Sequence, residues 1–210
     1  MILGKNVEKG MGWQIMLDKN SIYRKRRSIR SFETDKPIRE EDLNLILEAG
    51  SYAPSGGNSQ TTHRLVITNQ EVLTKLEELV QAEFAKMEVK EDTYKSLRNS
   101  ILRSKGGNYV YDYHAPVLVV TANKKGYGNA MADSAMMIEN MMLQAVELGI
   151  GSCYINQLHW LDENPVIRKE LMSLGLKEDE TVTGGLALGY AKIQPEAELK
   201  RIGNPITYIR

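Results

Sequence analysis

The segment NAMADSAMMIENMMLQAVELGIG, residues 129–151, constrains the fold more than any other. Its apolar residues Met131, Ala135, Met137, Ile138, Met141, Met142, Ala145 and Leu148 cover far more of a helical surface than one narrow stripe. A helix apolar over most of its circumference is buried over most of it. Two arrangements satisfy this: a central helix covered by its own chain, or a helix whose second side is covered by another subunit. The pattern alone leaves both open.

The rest of the chain supplies material to pack around that helix. HRLVIT, APVLVVTA (bounded by Pro116), GSCYI, TVTGGLALGY and the terminal ITYIR read as strands. A short helix from about Leu17 ends in a basic run. In IREEDLNLILEAG, Leu43, Ile46 and Leu47 share one face, acids fill the first turn and Gly50 closes it. NQEVLTKLEELVQAEFAKM has Asn69 as its N-cap, and NPVIRKELMSLG carries Pro165 at a tolerated early position. PSGGNSQ reads as a loop. Strands and helices alternate irregularly, which predicts a three-layer α+β or α/β domain. Residues 1–16 lack a period and read as an N-terminal extension; residues 17–210 read as a single domain.

Composition narrows the partners. Lys plus Arg and Asp plus Glu both total 27, so the formal net charge is zero. That disfavours a nucleic-acid binder, which carries a basic excess or face. One cysteine, Cys153, forms no intramolecular disulfide, and a reducing, cytoplasmic setting is expected. No apolar run approaches the roughly 20 residues needed to span a bilayer.

Against that neutral background the stretch YRKRRSIRSF packs Arg24, Lys25, Arg26, Arg27 and Arg30 into seven residues. The polar ETDKPIREED that follows is not the apolar segment an export signal needs. A pocket for one small anion is the remaining reading. Other chemistry is missing. His63, His114 and His159 are far apart with no metal-ligand spacing, and Cys153 lies in an apolar strand. There is no nucleophile elbow or P-loop, and GIGSCY lacks the third glycine and the following helix of a dinucleotide fingerprint. An enzyme with such a sequence relies on a bound cofactor.

Four segments in order, RRSIRSF, APSGGNSQ, GIGSCYI and LALGYA followed by LKR, resemble the FMN-dependent nitroreductase family from Leu17 to Arg210. The resemblance implies an α+β fold: a mixed, largely antiparallel sheet flanked by helices, in an intertwined homodimer with two flavin sites at its interface. It assigns the apolar helix to much of that interface. It places Arg26, Arg27, Ser28 and Arg30 against the phosphate, ribityl chain and pyrimidine edge of FMN, with Arg30 at the N1 side, where a cation favours the reduced state. Guanidinium forks and hydroxyls suit a phosphate dianion, while Arg24 and Lys25 are expected on a solvated face.

Pro54, Ser55, Gly56, Asn58 and Gln60 match the loop that reaches the partner's flavin. Thr61-Thr62 stands where the family commonly has Pro-Trp. Tyr154, Ile155, Asn156 and Gln157 match the strand end whose backbone sits beside the flavin's N5. Gly189 closes a strand before Lys200 and Arg201, the second set of phosphate ligands. No side-chain acid or base is demanded, because the flavin carries the chemistry. The implied reaction takes hydride from NADH or NADPH and passes electrons to a small acceptor, nitroaromatic or quinone, by ping-pong. The alternatives are a specialised enzyme on the same scaffold, such as a dehalogenase or dehydrogenase, and a flavin-binding module without turnover. Residues 86–113 are expected to shape the substrate side.

Overall fold

The computed structural model describes residues 18, 20–195 and 203–210. Its centre is a four-stranded antiparallel sheet in the order β1-β2-β4-β3, from β1 (His63–Ile67), β2 (Val117–Lys124), β3 (Gly151–Ile155) and β4 (Glu180–Gly189). Seven helices accompany it among the described residues: α1 (Ile22–Lys25), α2 (Glu40–Ser51), α3 (Gln70–Lys86), α4 (Lys95–Lys105), α5 (Ala130–Glu147), α6 (Gln157–Trp160) and α7 (Pro165–Ser173).

Both faces of the sheet are buried, and the period of two in the central strands divides the residues between them. Val117 and Val119 of β2, with Leu186 and Leu188 of β4, face Ile46 of α2 and Ile138, Met141, Met142 and Ala145 of α5. Leu118, Val120, Ala122 and Ala187 point the other way, into a larger core with Leu73, Leu76, Val80 and Phe84 of α3 and Ile167 and Leu171 of α7. This is the expected α+β arrangement in three layers. The caps also match: the Asn69 side chain accepts from Val72 N–H at 3.0 Å, and Pro165 occupies the first turn of α7.

The apolar helix is only half covered by its own chain. Ile138, Met141, Met142 and Ala145 are buried, whereas Met131 and Met136 are exposed.

Two expectations need correction. ITYIR forms no strand: residues 206–210 are exposed and carry no regular structure. The helix leading into the basic run is a single turn among the described residues, Ile22–Lys25, with no buried residue to anchor it. PSGGNSQ is a loop, as expected, with one 3-10 turn at Gly56–Asn58 in which Gly57 is left-handed at φ 59°. The expected extension, residues 1–16, and Leu17 lie outside the described residues. Among those described, no helix is long and apolar enough to cross a membrane.

Candidate functional site

The RRSIR segment is pinned beside the sheet. Ser28 forms a parallel bridge to Ser152 of β3, and Ile29 N–H donates to Ser152 O at 2.9 Å. Four residues on, Phe32 bridges Ala191, just past the end of β4. Residues 28–32 thus extend the sheet past β3, and Ile29 and Phe32 anchor them in the core. Beside this seam the Ser152 hydroxyl is 1% exposed and has no hydrogen-bond partner. A buried, unpaired hydroxyl calls for a ligand, water or strain to explain it.

The basic side chains differ in their surroundings. Arg26 Nε lies 3.2 Å from Glu139 Oε1 of α5. Arg24 and Arg27 are half-buried and each has an interaction partner, so the solvated face expected for Arg24 holds only for the exposed Lys25. Arg30 reaches back to Ser28 O at 3.5 Å.

Arg30 also lines a cleft of about 730 Å³, with Ser31 to Lys36, Arg103, Asn108, Val110, Tyr113, His114 and Lys192 on its walls. That volume suits a ligand of cofactor size. Arg103, Asn108, Val110 and Tyr113 come from the stretch expected to shape the substrate side. The wall at Tyr113 is strained. Tyr113 and His114 have φ of 64° and 54°, and Ala115 N–H donates to Asp112 O at 3.3 Å, closing a turn with two left-handed, non-glycine centres. Each such residue costs on the order of 1–3 kcal/mol.

Behind the turn lies a buried acid pair. His114 N–H donates to Asp112 Oδ1 at 3.2 Å, and His114 Nδ1 lies 3.0 Å from Glu77 Oε1. Burial, and next the charge of Glu77, pushes the Asp112 carboxyl up to about 8. Asp112 Oδ2 is buried with no hydrogen-bond partner, an environment that favours the neutral, protonated carboxyl. Burial likewise raises the Tyr113 phenol and the Cys153 thiol, each opposed by Arg30.

The strand end after β3 is closed by its own side chains. Tyr154 O–H donates to Asn156 Oδ1 at 2.7 Å, and Asn156 N–H donates to Gln157 Oε1 at 3.0 Å. Gln157 Nε2 donates in turn to the Tyr109 hydroxyl at 2.7 Å. Ile155 is buried. Gly189, opposite Gly151 in the ladder, is a close-approach site: a Cβ there would meet Pro116 Cδ at 2.7 Å and Phe32 Cδ1 at 2.9 Å.

The loop Pro54–Gln60 is held elsewhere, at the start of α5. Gly56 N–H donates to both carboxylate oxygens of Asp133, at 3.1 and 3.3 Å, and Tyr127 O–H donates to Asp133 Oδ2 at 2.9 Å. Ser55 Oγ accepts from Gln60 N–H at 3.0 Å, and Asn58 and Gln60 are left-handed. None of the loop's residues lines the Arg30 cleft within one chain. Lys200 and Arg201 lie outside the described residues.

Sequence reasoning missed Glu77, Asp112, Tyr113, His114, Tyr127 and Asp133. The one visible signal was Asp133, a carboxylate inside an otherwise apolar helix. No three His, Cys, Asp or Glu side chains among the described residues converge on a metal-sized site.

Comparison with known proteins identifies the family and the fold. A nitroreductase from Bacteroides fragilis, solved with bound FMN, superposes with a TM-score of 0.78 at 39% identity, over 90% of this chain and 97% of that one. An Archaeoglobus fulgidus protein, provisionally named an NADH dehydrogenase/NAD(P)H nitroreductase, is 32% identical over 80% of this chain and 82% of its own. A nitrobenzene nitroreductase from Ectopseudomonas oleovorans is 27% identical over 82% of this chain and 86% of its own. The nitroreductase family profile matches residues 23–190. With its motifs in order, its sheet architecture and these relatives, the chain belongs to the nitroreductase family.

Proposed function

We propose that the protein is a cytoplasmic, homodimeric FMN-dependent oxidoreductase that takes hydride from NADH or NADPH and reduces a small acceptor of the nitroaromatic or quinone type. The observation that carries this is the RRSIR segment, fastened to β3 by the Ser28–Ser152 bridge with Arg30 at the mouth of the cleft. The names of the relatives support the donor and the acceptor class.

The residues present fit the cofactor. Arg26, Arg27 and Ser28 supply donors for a phosphate and ribityl chain, Arg30 a cation for the ring's pyrimidine edge, and Ser152 a buried hydroxyl without a partner. Lys200 and Arg201 would add to the phosphate site. FMN, when bound, supplies the two-electron chemistry. The chain's own task is to hold and orient it. Gly189 keeps Phe32 and Pro116 close, so that residues 28–32 lie flat against the sheet. The backbone at Tyr154, Ile155, Asn156 and Gln157 forms the floor near the ring; a ligand taking the Asn156 N–H displaces Gln157 Oε1.

The second subunit completes the site. Pro54, Ser55, Gly56, Asn58 and Gln60 sit away from the cleft of their own chain and serve the partner's, while exposed Met131 and Met136 give the helix an apolar face to pair. Buried Cys153 needs no oxidising compartment.

The test is direct. The protein should purify yellow or take up FMN in preference to FAD, bleach with NADH or NADPH and recolour with an acceptor. Steady-state kinetics should give parallel double-reciprocal lines. A protein that binds no flavin overturns the reading. Bleaching without recolouring by any nitroaromatic or quinone favours the specialised-enzyme alternative.

A further inference from the structure

The Tyr113–His114 turn holds two non-glycine residues in the left-handed region, where glycine would reverse the chain without strain. The strain therefore serves the placement of a side chain. Two contacts place His114. Asp112 Oδ1 accepts its backbone N–H at 3.2 Å, and its Nδ1 lies 3.0 Å from Oε1 of Glu77 on α3. The two ends of the second contact differ in setting. The Glu77 side chain is 10% exposed, whereas the imidazole is 57% exposed, on the wall of the cleft that Arg30 also lines.

That contact decides what each ring nitrogen does. A carboxylate only accepts, so Nδ1 carries a proton directed at Glu77, and Nε2 is the nitrogen left for a ligand. A carboxylate behind an imidazole fixes its tautomer and orientation. Imidazole is also the side chain whose ordinary titration lets it exchange a proton near neutral pH.

The reaction proposed above consumes such a proton. A quinone that receives a hydride becomes a hydroquinone only by taking a proton as well. A nitro group that receives a hydride needs a proton to yield a nitroso group and water. NADH or NADPH supplies the hydride, with its electron pair, and not the proton.

We propose that His114 is the proton donor of the cleft. Its Nε2–H bond breaks, the electron pair stays on Nε2, and the proton goes to the acceptor oxygen that gains charge as the hydride arrives; solvent then reprotonates Nε2. Glu77 is the positioning residue behind it. This rests on the oxidoreductase reading above and adds an acid to a site whose four motifs contain no His, Asp or Glu.

The test separates proton transfer from electron transfer. Purified FMN-loaded wild type, His114→Gly and Glu77→Gln are reduced with NADH or NADPH, then mixed in a stopped-flow instrument with benzoquinone or with ferricyanide, which takes electrons and no proton. Glycine suits the φ of 54° at this position, so the turn keeps its path while the imidazole is lost. His114→Gly should slow reoxidation by benzoquinone about tenfold to a hundredfold, and added imidazole should restore part of the rate. Reoxidation by ferricyanide, and FMN affinity by fluorescence titration, should not change. Glu77→Gln should slow the benzoquinone step less, and NMR of the imidazole should show the Nδ1 proton in the wild type and a weaker preference for it in this variant. An unchanged benzoquinone rate in His114→Gly overturns the inference and leaves the flavin reading standing. Equal slowing with both oxidants also overturns it, because it marks a structural role. A wild type that binds no FMN overturns both.

Discussion

Arg26 Nε lies 3.2 Å from Glu139 Oε1 on α5, which sets the guanidinium beside the apolar helix. A guanidinium is a charge-assisted donor suited to a phosphate. Arg26→Ala should therefore weaken FMN binding about tenfold to a hundredfold, in line with roughly 1.5–3 kcal/mol for a charge-assisted contact. Glu139→Gln keeps an acceptor for the Nε–H and should change affinity less than about threefold, since exposed ion pairs contribute little. Lys25→Ala, in the exposed last turn of α1, should have no effect. Fluorescence titration of the three apoproteins checks this; equal losses from all three would return the basic run to a diffuse patch.

The second prediction concerns the loop anchor. Asp133 is 3% exposed and accepts from Gly56 N–H and Tyr127 O–H. Asp133→Ala leaves the Gly56 N–H without its acceptor, while the Tyr127 hydroxyl keeps Gly56 O and Ser59 Oγ, and should lower stability by about 1–3 kcal/mol. Gly56→Ala should be harmful by a different route, because the new Cβ would collide with Asn129 Nδ2 and meet the Tyr127 hydroxyl at 2.7 Å. Urea denaturation reads both. If the loop serves the partner's flavin, each variant should also lose FMN affinity.

The Asp112–Glu77 pair predicts a pH dependence on the alkaline side. Asp112 ionises near 4 in an unfolded chain and at about 8 in the folded one. Between those values the folded state holds the extra proton. Its contribution is complete below the lower value and is lost as pH rises through the upper one. Asp112→Asn can still accept the His114 N–H and carries no titrating carboxyl. Its Tm relative to wild type should thus move in the variant's favour from pH 5 to pH 9. A constant Tm difference across that range would show that Asp112 titrates as an ordinary carboxylate.

The uncovered side of α5 predicts the assembly. Met131 and Met136 of α5 are exposed in the single chain, and so are Leu45 and Tyr52 of the α2 region. Apolar patches of that kind mark interfaces. Met136→Glu should shift the protein toward monomer in light scattering at micromolar concentration, and FMN affinity should fall with it. A wild-type protein that is monomeric and flavin-loaded would contradict the dimer.

Much of this was legible in the sequence where local pattern and tertiary demand coincide. The alternation of β2 and β4, the Asn69 cap and the Pro165 start each follow from rules that act within a few residues. RRSIR stood out in the sequence because charge was concentrated in a neutral chain, and the proposed anion pocket starts from it. The Tyr113–His114 turn was not: no glycine marks it, and its conformation depends on Glu77, brought from another helix. The anchoring of Gly56 by Asp133 was hidden for the same reason, since only the fold brings those residues together. ITYIR shows the converse: it has strand-forming residues, but a strand also needs pairing, and residues 206–210 pair with no strand of the described chain.

The bridge between Ser28 and Ser152 joins the first part of the chain to the third strand of a sheet whose partner, β4, is made later still. Contacts so distant along the chain must pay a large loop-closure entropy and are slow to form. The cradle proposed for the cofactor therefore cannot form before the sheet does. Added FMN should leave the refolding rate of the apoprotein unchanged while slowing its unfolding: the ligand meets a finished site and acts as a latch rather than a template.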